Sequence, residues 1–337
     1  MFRLPNLARS GPGIWGLVCL AGLFAIPEGA VAQGSADRYP IRAVRVIVPY
    51  PPGAGTDILG RAVSERLGGV FKQPFVVENK PGMGTLAGAE FVAKSAPDGY
   101  TLLIAAAATF GIAPQLYPKS PIDPMQDFRL VGLLGAANFF LVASPAFQAK
   151  NVRQMIDYVR SNPGKFNYGS AGSGSTHHLF MEALKKDAGL DIQHVPYKGS
   201  ILAVPDLLSD KIQLMFLDPG IAVPNIQSGK LIALGTSMAK PSMLIPSVPP
   251  INATVAGYDW SGWLGVAVPA AVPSQILARL ATELQRFERT SEYGELLRKM
   301  GMELFVDVTT PDQLADFMKR DIARWAAAIQ ASGARLE

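Results

Sequence analysis

The chain reads as an α/β protein of two lobes with a cleft between them. Three observations predict this. Short β-branched apolar runs alternate with longer amphipathic ones, the pattern of strands followed by helices in a largely parallel sheet. That order appears twice, early and again past the middle, as architectural repetition without sequence repetition. Helical stretches are then left over at the C-terminal end, so the chain returns to its first lobe, and two crossings between lobes make a hinge.

Residues 1–32 stand apart from the fold. Arg3 and Arg9 form a basic start, the run from Ile14 to Ile26 is apolar, and Ala30-Val31-Ala32 gives the small-x-small cleavage pattern of a secretory signal peptide. Cleavage is expected after Ala32. The apolar run is shorter than the ~18 residues that suggest a spanning helix, and no later stretch reaches that length without charge or proline. These features predict an exported soluble protein.

The first lobe is expected over 37–137 and again over 234–337, the second over 138–233. In the first, a buried strand at 44–50 is followed by a helix at 56–70, a strand at 75–78 and a helix at 85–95. A strand at 100–105 follows the Pro97-Asp98-Gly99 turn. In the second, a helix at 151–161 is stopped by Asn162-Pro163-Gly164, and a strand at 166–169 follows. A helix at 175–188 ends at Gly189; a strand at 192–197, a helix at 200–209 and a strand at 212–217 complete the unit. After Ser228-Gly229, a strand at 231–236 leads to a proline-rich loop at 241–250. A strand near 263–268 precedes helices at 273–288, 291–300 and 311–332.

The formal charge is +4, and loss of Arg3, Arg9 and Glu28 with the leader takes it to +3. Acids and bases are interleaved and no basic stripe occurs, so nucleic-acid binding is not expected. Cys19 is the only cysteine and leaves with the leader. Thiol catalysis, disulfides and zinc–sulfur sites are thereby excluded from the mature chain. Export without disulfides fits a bacterial periplasm better than eukaryotic secretion. Neither a cofactor nor a metal is expected.

Two glycine-rich turns carry the chemistry. Pro51-Pro52-Gly53-Ala54-Gly55-Thr56-Asp57 and Tyr168-Gly169-Ser170-Ala171-Gly172-Ser173-Gly174-Ser175-Thr176 each follow a strand and open a helix. A helix N-terminus has unpaired N–H groups and a partial positive charge, which suits an anion. One such turn in each lobe points to a small carboxylate held from both sides. The first turn also resembles a dinucleotide loop, with Glu78 at the end of the next strand. However, Ile58 occupies the third glycine position, and Arg61-Ala62 stands where a Walker loop needs Lys-Ser/Thr. No serine of the second turn has glycine at both −2 and +2, so it is not a hydrolase elbow.

The ordered blocks resemble the tripartite tricarboxylate transporter receptors, also called Bug proteins. They are Tyr39-Pro40, Val44–Gly53 by number 44–53, Thr56-Asp57, Val77-Glu78-Asn79-Lys80-Pro81-Gly82 and Ala96-Pro97-Asp98-Gly99-Tyr100-Thr101-Leu102-Leu103. Tyr168-Gly169-Ser170-Ala171-Gly172 and His194-Val195-Pro196-Tyr197-Lys198-Gly199 continue the match across essentially the whole mature chain. The resemblance implies a type II periplasmic-binding-protein fold that closes on a small mono- or dicarboxylate. It implies delivery to membrane transporter subunits or signalling, for instance through a sensor kinase, by a monomeric receptor. Ala54 departs from the usual glycine; its φ is therefore expected in an ordinary region. Gly82-Met83-Gly84 departs from the usual adjacent glycines, and His177-His178 replaces a single histidine.

Several side chains have both a ligand reading and a structural one. Asp57 either bonds a ligand amine or water, or pairs with the N–H groups of its own helix turn. Thr56 caps that helix or meets the ligand, while the N–H groups of Gly53, Ala54, Gly55 and Thr56 are the better anion contacts. Tyr50 and Thr109 end first-lobe strands at the cleft. Ser170, Ala171, Gly172, Ser173, Gly174, Ser175 and Thr176 offer hydroxyls and backbone donors, with Ser175 or Thr176 as the helix cap. His177 and His178 point about 100° apart on a helix and cannot share one ion; one is expected packed and the other solvated. The resemblance places a histidine of this stretch near the cleft. Tyr197, Lys198 and Asp218 lie at strand ends, where open α/β sheets hold ligands. The competing class is an exported α/β hydrolase or lyase acting on a small carboxylic acid. It requires a nucleophile–base pair or metal set, and neither is found in the sequence.

Overall fold

A computed structural model describes residues 38–117, 119–304 and 308–334; the signal peptide expected over 1–32 lies outside them. The first lobe opens with β1 (Val44–Val48), α1 (Gly55–Phe71), β2 (Phe75–Asn79), α2 (Leu86–Ala93) and β3 (Thr101–Ala106). Apolar alternation gives way to continuous burial here: every residue of β3 is buried, as a central strand covered on both faces requires. Then come β4 (Phe128–Ala137) and β5 (Phe140–Ala143), which the sequence reading left unassigned.

The second lobe continues with α3 (Val152–Arg160), β6 (Asn167–Ser170), α4 (Thr176–Ala188), β7 (Gln193–Pro196), α5 (Ser200–Leu208) and β8 (Leu214–Leu217). An unexpected helix, α6 (Pro219–Gln227), precedes β9 (Ile232–Thr236). Its two prolines hid it: Pro219 occupies a first-turn position that tolerates proline, but Pro224 lies inside. The chain ends with β10 (Gly262–Pro269), α7 (Ser274–Glu288), α8 (Ser291–Lys299), β11 (Met302–Glu303) and α9 (Pro311–Ser332).

The sheets run β11-β4-β10-β3-β1-β2 and β7-β6-β8-β5-β9. Both are mixed, which corrects the expectation of largely parallel sheets. β1 pairs in parallel with β2 and β3, and β6 with β7 and β8, while β10 and β5 pair antiparallel with both neighbours. The physical reason is the crossing itself. A strand arriving from the other lobe enters its sheet at the cleft end and runs away from it. Strands within a βαβ unit run toward the cleft.

The crossing segments are bonded to each other. Phe139 N donates to Ser237 Oγ at 3.0 Å, Ser237 N to Phe139 O at 2.9 Å, and Met238 N to Asn138 Oδ1 at 3.0 Å. The return lies later than the expected division at 233/234. β9 pairs with β5 in the second sheet, and Leu244, Ile245 and Val248 of the proline-rich loop pack with Val142, Leu217 and Leu231. The first sheet is rejoined only at β10.

α9 packs on both lobes and is more than a first-lobe helix. Its Trp325 stacks on Phe180 of α4 with ring centroids 5.7 Å apart and lies against Trp260 at 4.9 Å. On the first-lobe side, a Cβ at Gly111 would lie 2.2 Å from Trp325 Cδ1, so only glycine fits there. Asp321 accepts from the indole N–H groups of Trp263 at 2.7 Å and Trp325 at 3.0 Å. Burial outweighs those bonds and pushes its carboxyl up to about 6. Trp260 and Trp263 are core aromatics, as expected.

Candidate functional site

The first turn is built around Asp57, whose carboxylate is turned inward. Asp57 Oδ2 accepts from Gly53 N at 2.9 Å and Arg61 Nε at 3.0 Å, and Oδ1 accepts from Asn79 Nδ2 at 2.8 Å. The Arg61 bond, with those from Gly53 and Asn79, holds the carboxyl at about 2 against the cost of burial. Asp57 therefore braces the turn, the structural one of its two expected readings. Asn79 also donates to Tyr50 O at 3.0 Å, tying the ends of β1 and β2 to the turn.

This bracing decides which N–H groups remain open. Gly53 N serves Asp57, and Ala54 N reaches Pro51 O at 3.3 Å, so neither is free as expected. Gly55 and Thr56 are the first two residues of α1, and their N–H groups find no partner among the described residues. No side chain caps this helix: Ala54 at the N-cap has φ −64°, the ordinary region expected for alanine, while Gly53 at φ +83° needs its glycine. Thr56 is not the cap. Glu78, the would-be ribose ligand, is held by Arg45 at 2.6 and 2.8 Å.

The second turn repeats the device. Ser175 caps α4 by accepting from His178 N at 3.3 Å, and the N–H groups of Thr176 and His177 find no partner among the described residues. Ser170 is fully buried and committed to the turn: its Oγ accepts from Gly172 N at 3.0 Å and lies 2.7 Å from His194 Nε2. Its hydroxyl thus braces the turn. Gly174 N donates to His178 Nδ1 at 3.0 Å. Ser173 is exposed, and Ala171, Gly172 and Thr176 are half-buried.

Both histidines of the pair are buried and bonded, which corrects the expected split into one packed and one solvated. His177 Nε2 lies 2.8 Å from Asp218 Oδ2, which also accepts from Ser200 Oγ at 2.7 Å. Burial opposes ionisation of Asp218, but those bonds outweigh it and hold the carboxyl below its usual range. Asp218 thereby ties the starts of α4, α5 and α6. Asn79, His194 and Ser200 escaped the sequence reading. Asn79 and His194 lie in blocks that carry the family resemblance, but nothing in the local sequence marks their partners.

Several buried polar atoms lack partners: Thr109 Oγ1, Thr85 Oγ1 and His177 Nδ1 make no hydrogen bond of ordinary geometry. Tyr50 is half-buried, and burial pushes its phenol up to about 12. Tyr197 points elsewhere, its hydroxyl donating to Asp206 at 2.8 Å, and Lys198 is exposed beyond it.

The lobes meet on two sides of these turns. A Cβ at Gly174 would lie 2.7 Å from Leu116 Cδ1 of the first lobe, and one at Gly301 would lie 2.8 Å from Pro219 Cβ of the second. A Cβ at Gly55 would lie 3.6 Å from Met300 Cε. Among the described residues no group of three or more potential metal ligands is found.

The tripartite tricarboxylate transporter family receptor model matches residues 59–334. The chain is 31% identical to Protein BugT of Bordetella pertussis over 325 residues, covering 95% of this chain and 98% of BugT. Among solved structures, an R. palustris protein with adipate is 30% identical, with a TM-score of 0.71 over 88% of this chain and all of its own. MatC from Rhodopseudomonas palustris with bound malate is 29% identical, with a TM-score of 0.67 over 86% of this chain and all of its own. The two-lobed α/β fold, the paired helix-opening turns and this match over most of the sequence agree: the chain belongs to the tripartite tricarboxylate transporter receptor family.

Proposed function

We propose that the protein is a periplasmic receptor that closes on a small carboxylate between the N-termini of α1 and α4. One observation carries this reading: each lobe presents a glycine-rich turn whose first two helical N–H groups, Gly55–Thr56 by number 55–56 and Thr176–His177 by number 176–177, lack partners. Two such cradles, one per lobe, give full contact only when the lobes are together, and that difference in affinity drives closure. The carboxylates bound to two structural relatives, adipate and malate, support a dicarboxylate as the ligand class. The two lobes divide at 138–139 and near 260, and the bound molecule is then passed to membrane subunits of the transporter or reported to a sensor.

An enzymatic reading draws on one contact, the 2.7 Å approach of Ser170 Oγ to His194 Nε2. Ser170 is fully buried, its hydroxyl also serves Gly172, and no acid bonds the imidazole among the described residues. The arrangement is a brace rather than a nucleophile–base pair. Thermal-shift measurements against small mono-, di- and tricarboxylates test the proposal. A ligand at about 100 times its Kd adds about 2.7 kcal/mol and raises Tm. If no carboxylate in the panel shifts Tm, the carboxylate reading fails. Turnover of an ester or keto acid would establish the enzyme instead.

A further inference from the structure

Beneath the second turn lies a stack of three rings. His178 and His194 lie face to face with centroids 4.0 Å apart and planes within 8°, and Tyr168 stacks on His194 at 4.8 Å. Each imidazole holds a different part of the turn. His194 Nε2 lies 2.7 Å from Ser170 Oγ at its start, and His178 Nδ1 accepts from Gly174 N at 3.0 Å near its end. The second bond fixes a tautomer. A backbone N–H needs a lone pair, so Nδ1 of His178 carries no proton.

We propose that His178 and His194 are a positioning pair: as neutral imidazoles they hold the Ser170–Thr176 turn, by number 170–176, in its anion-cradling shape, and protonation of His178 releases it. A proton on Nδ1 of His178 would set N–H against the Gly174 N–H. It would also place a cation 4.0 Å from the second ring. The groups facing the pair are few. Glu182 on α4 favours the charged form, but its Oε1 accepts from Lys185 at 2.6 Å and from the Tyr168 hydroxyl at 2.5 Å, so its charge is shared. Lys185 opposes a second cation. Burial first, then His178 beside His194 and Lys185 beside both, hold the imidazoles below the usual histidine range against the pull of Glu182, His194 at about 4. With the folded-state value depressed, the neutral brace is complete above about 6.5 and is lost as pH falls through the folded-state value.

Gly174 is sterically exacting as well as bonded. Its φ is +75°, and a Cβ there would strike Leu116 of the opposite lobe. A shift in this residue therefore moves both the turn and the interlobe contact. The pair thus links the shape of the cradle to the fit of the closed lobes. The proposal deepens the receptor reading and rests on it for the turn's role in binding, though not for the brace itself.

The test begins without ligand. Nitrogen-15 spectra of the histidines, followed from about pH 7 to about pH 4, give each ring's tautomer and midpoint. The expected result is an Nε2-protonated His178 and a Gly174 amide signal that moves with its midpoint. In His178→Asn, whose side-chain oxygen replaces the Nδ1 lone pair, that amide should stay put over the same range. An Nδ1-protonated His178, or an amide that stands still while it titrates, overturns the proposal in the unaltered protein whatever the variant does. Calorimetry with malate and adipate then reads the consequence. Wild-type affinity should fall about tenfold more than that of His178→Asn between the two pH values, the variant sharing the ligand's own protonation. A rise in affinity on acidification, from a cation aiding the anion, would also overturn it. If neither probe binds at pH 7, the dicarboxylate reading loses its support, while the amide signal still decides the brace.

Discussion

Replacing Gly55 by proline removes one N–H from the first cradle and little else. Gly55 is the first residue of α1, the helical position proline tolerates best because its missing N–H has no intrahelical partner. Ala54 before it is extended at φ −64°, ψ 155°, as the residue ahead of proline must be. A Cβ there would sit 3.6 Å from Met300 Cε, an ordinary contact. Stability should therefore stay within about 1 kcal/mol of wild type. A hydrogen bond to a charged group contributes about 1.5–3 kcal/mol, so the Kd of the best carboxylate should rise about 10- to 150-fold. Gly55→Ala keeps the N–H and should bind within about threefold of wild type. Titration calorimetry of both variants, after circular dichroism has shown them folded, is the assay. Wild-type affinity in a folded Gly55→Pro protein would refute the backbone cradle and move the carboxylate elsewhere.

Ser173→Ala removes an exposed hydroxyl but no backbone donor, so affinity should change by about twofold or less; a loss like that of Gly55→Pro would make the side chain a ligand contact. Gly301→Ala places a Cβ 2.8 Å from Pro219 Cβ at a φ of +69°. Because the clash exists only with the lobes together, affinity should drop about tenfold and small-angle scattering with ligand should show a more open particle; unchanged scattering and affinity would contradict this. Asp321 has its folded-state value raised from 3.8 to about 6, so the folded protein binds the extra proton and stability falls as pH rises through that window. At 1.36 kcal/mol per unit the loss approaches about 3 kcal/mol, and Asp321→Asn should flatten the urea-denaturation midpoint between pH 4 and 6; an unchanged slope would rule Asp321 out. Intact mass of the exported protein should show Gln33 as the first residue, and a retained leader would disprove cleavage after Ala32.

Much of the fold was legible because local signals agreed with it. α9 begins and ends at the residues expected, since Thr310 forms a capping box with Gln313, Pro311 starts the helix and Gly333 closes it in the left-handed region. β4 and β5 were not legible. After Arg129 they form a long apolar stretch whose only polar residue is Asn138, and nothing in their periodicity says that this point is a passage between lobes. That information lies in Ser237 and Met238, about a hundred residues away, which supply the hydrogen bonds across the passage. The return point was misplaced for the same reason: β9 joins the second sheet through pairing with β5, a contact that local sequence does not encode.

The two turns were legible as anion sites because the feature that makes them so is backbone, and glycine marks it. The roles of their side chains were not legible, and the same physics explains why. When N–H groups carry the anion contact, the side chains must shape the turn, and a turn is shaped by what lies under it. Those partners come from other strands: Asn79 reaches Asp57, His194 reaches Ser170, and Asp218 reaches His177 across 41 residues. Asp57, Ser170 and Asp218 are thereby already bonded on the inside, while Thr109 Oγ1 and one nitrogen of His177 make no hydrogen bond of ordinary geometry. An unpaired buried polar atom costs about 1–3 kcal/mol, so a ligand or water that bonds His177 Nδ1 would recover that cost. His177 narrows this further. When Nε2 donates to Asp218 in the neutral ring, Nδ1 is left as an acceptor, which a carboxylate cannot satisfy but a hydroxyl or water can. A ligand carrying a hydroxyl beside its carboxylate should therefore bind more tightly than its deoxy counterpart. Malate against succinate, measured by calorimetry in wild type and in His177→Phe, puts this to the test. The preference should be about tenfold in wild type and vanish in the variant; equal affinities in wild type would show that Nδ1 faces water in the bound state.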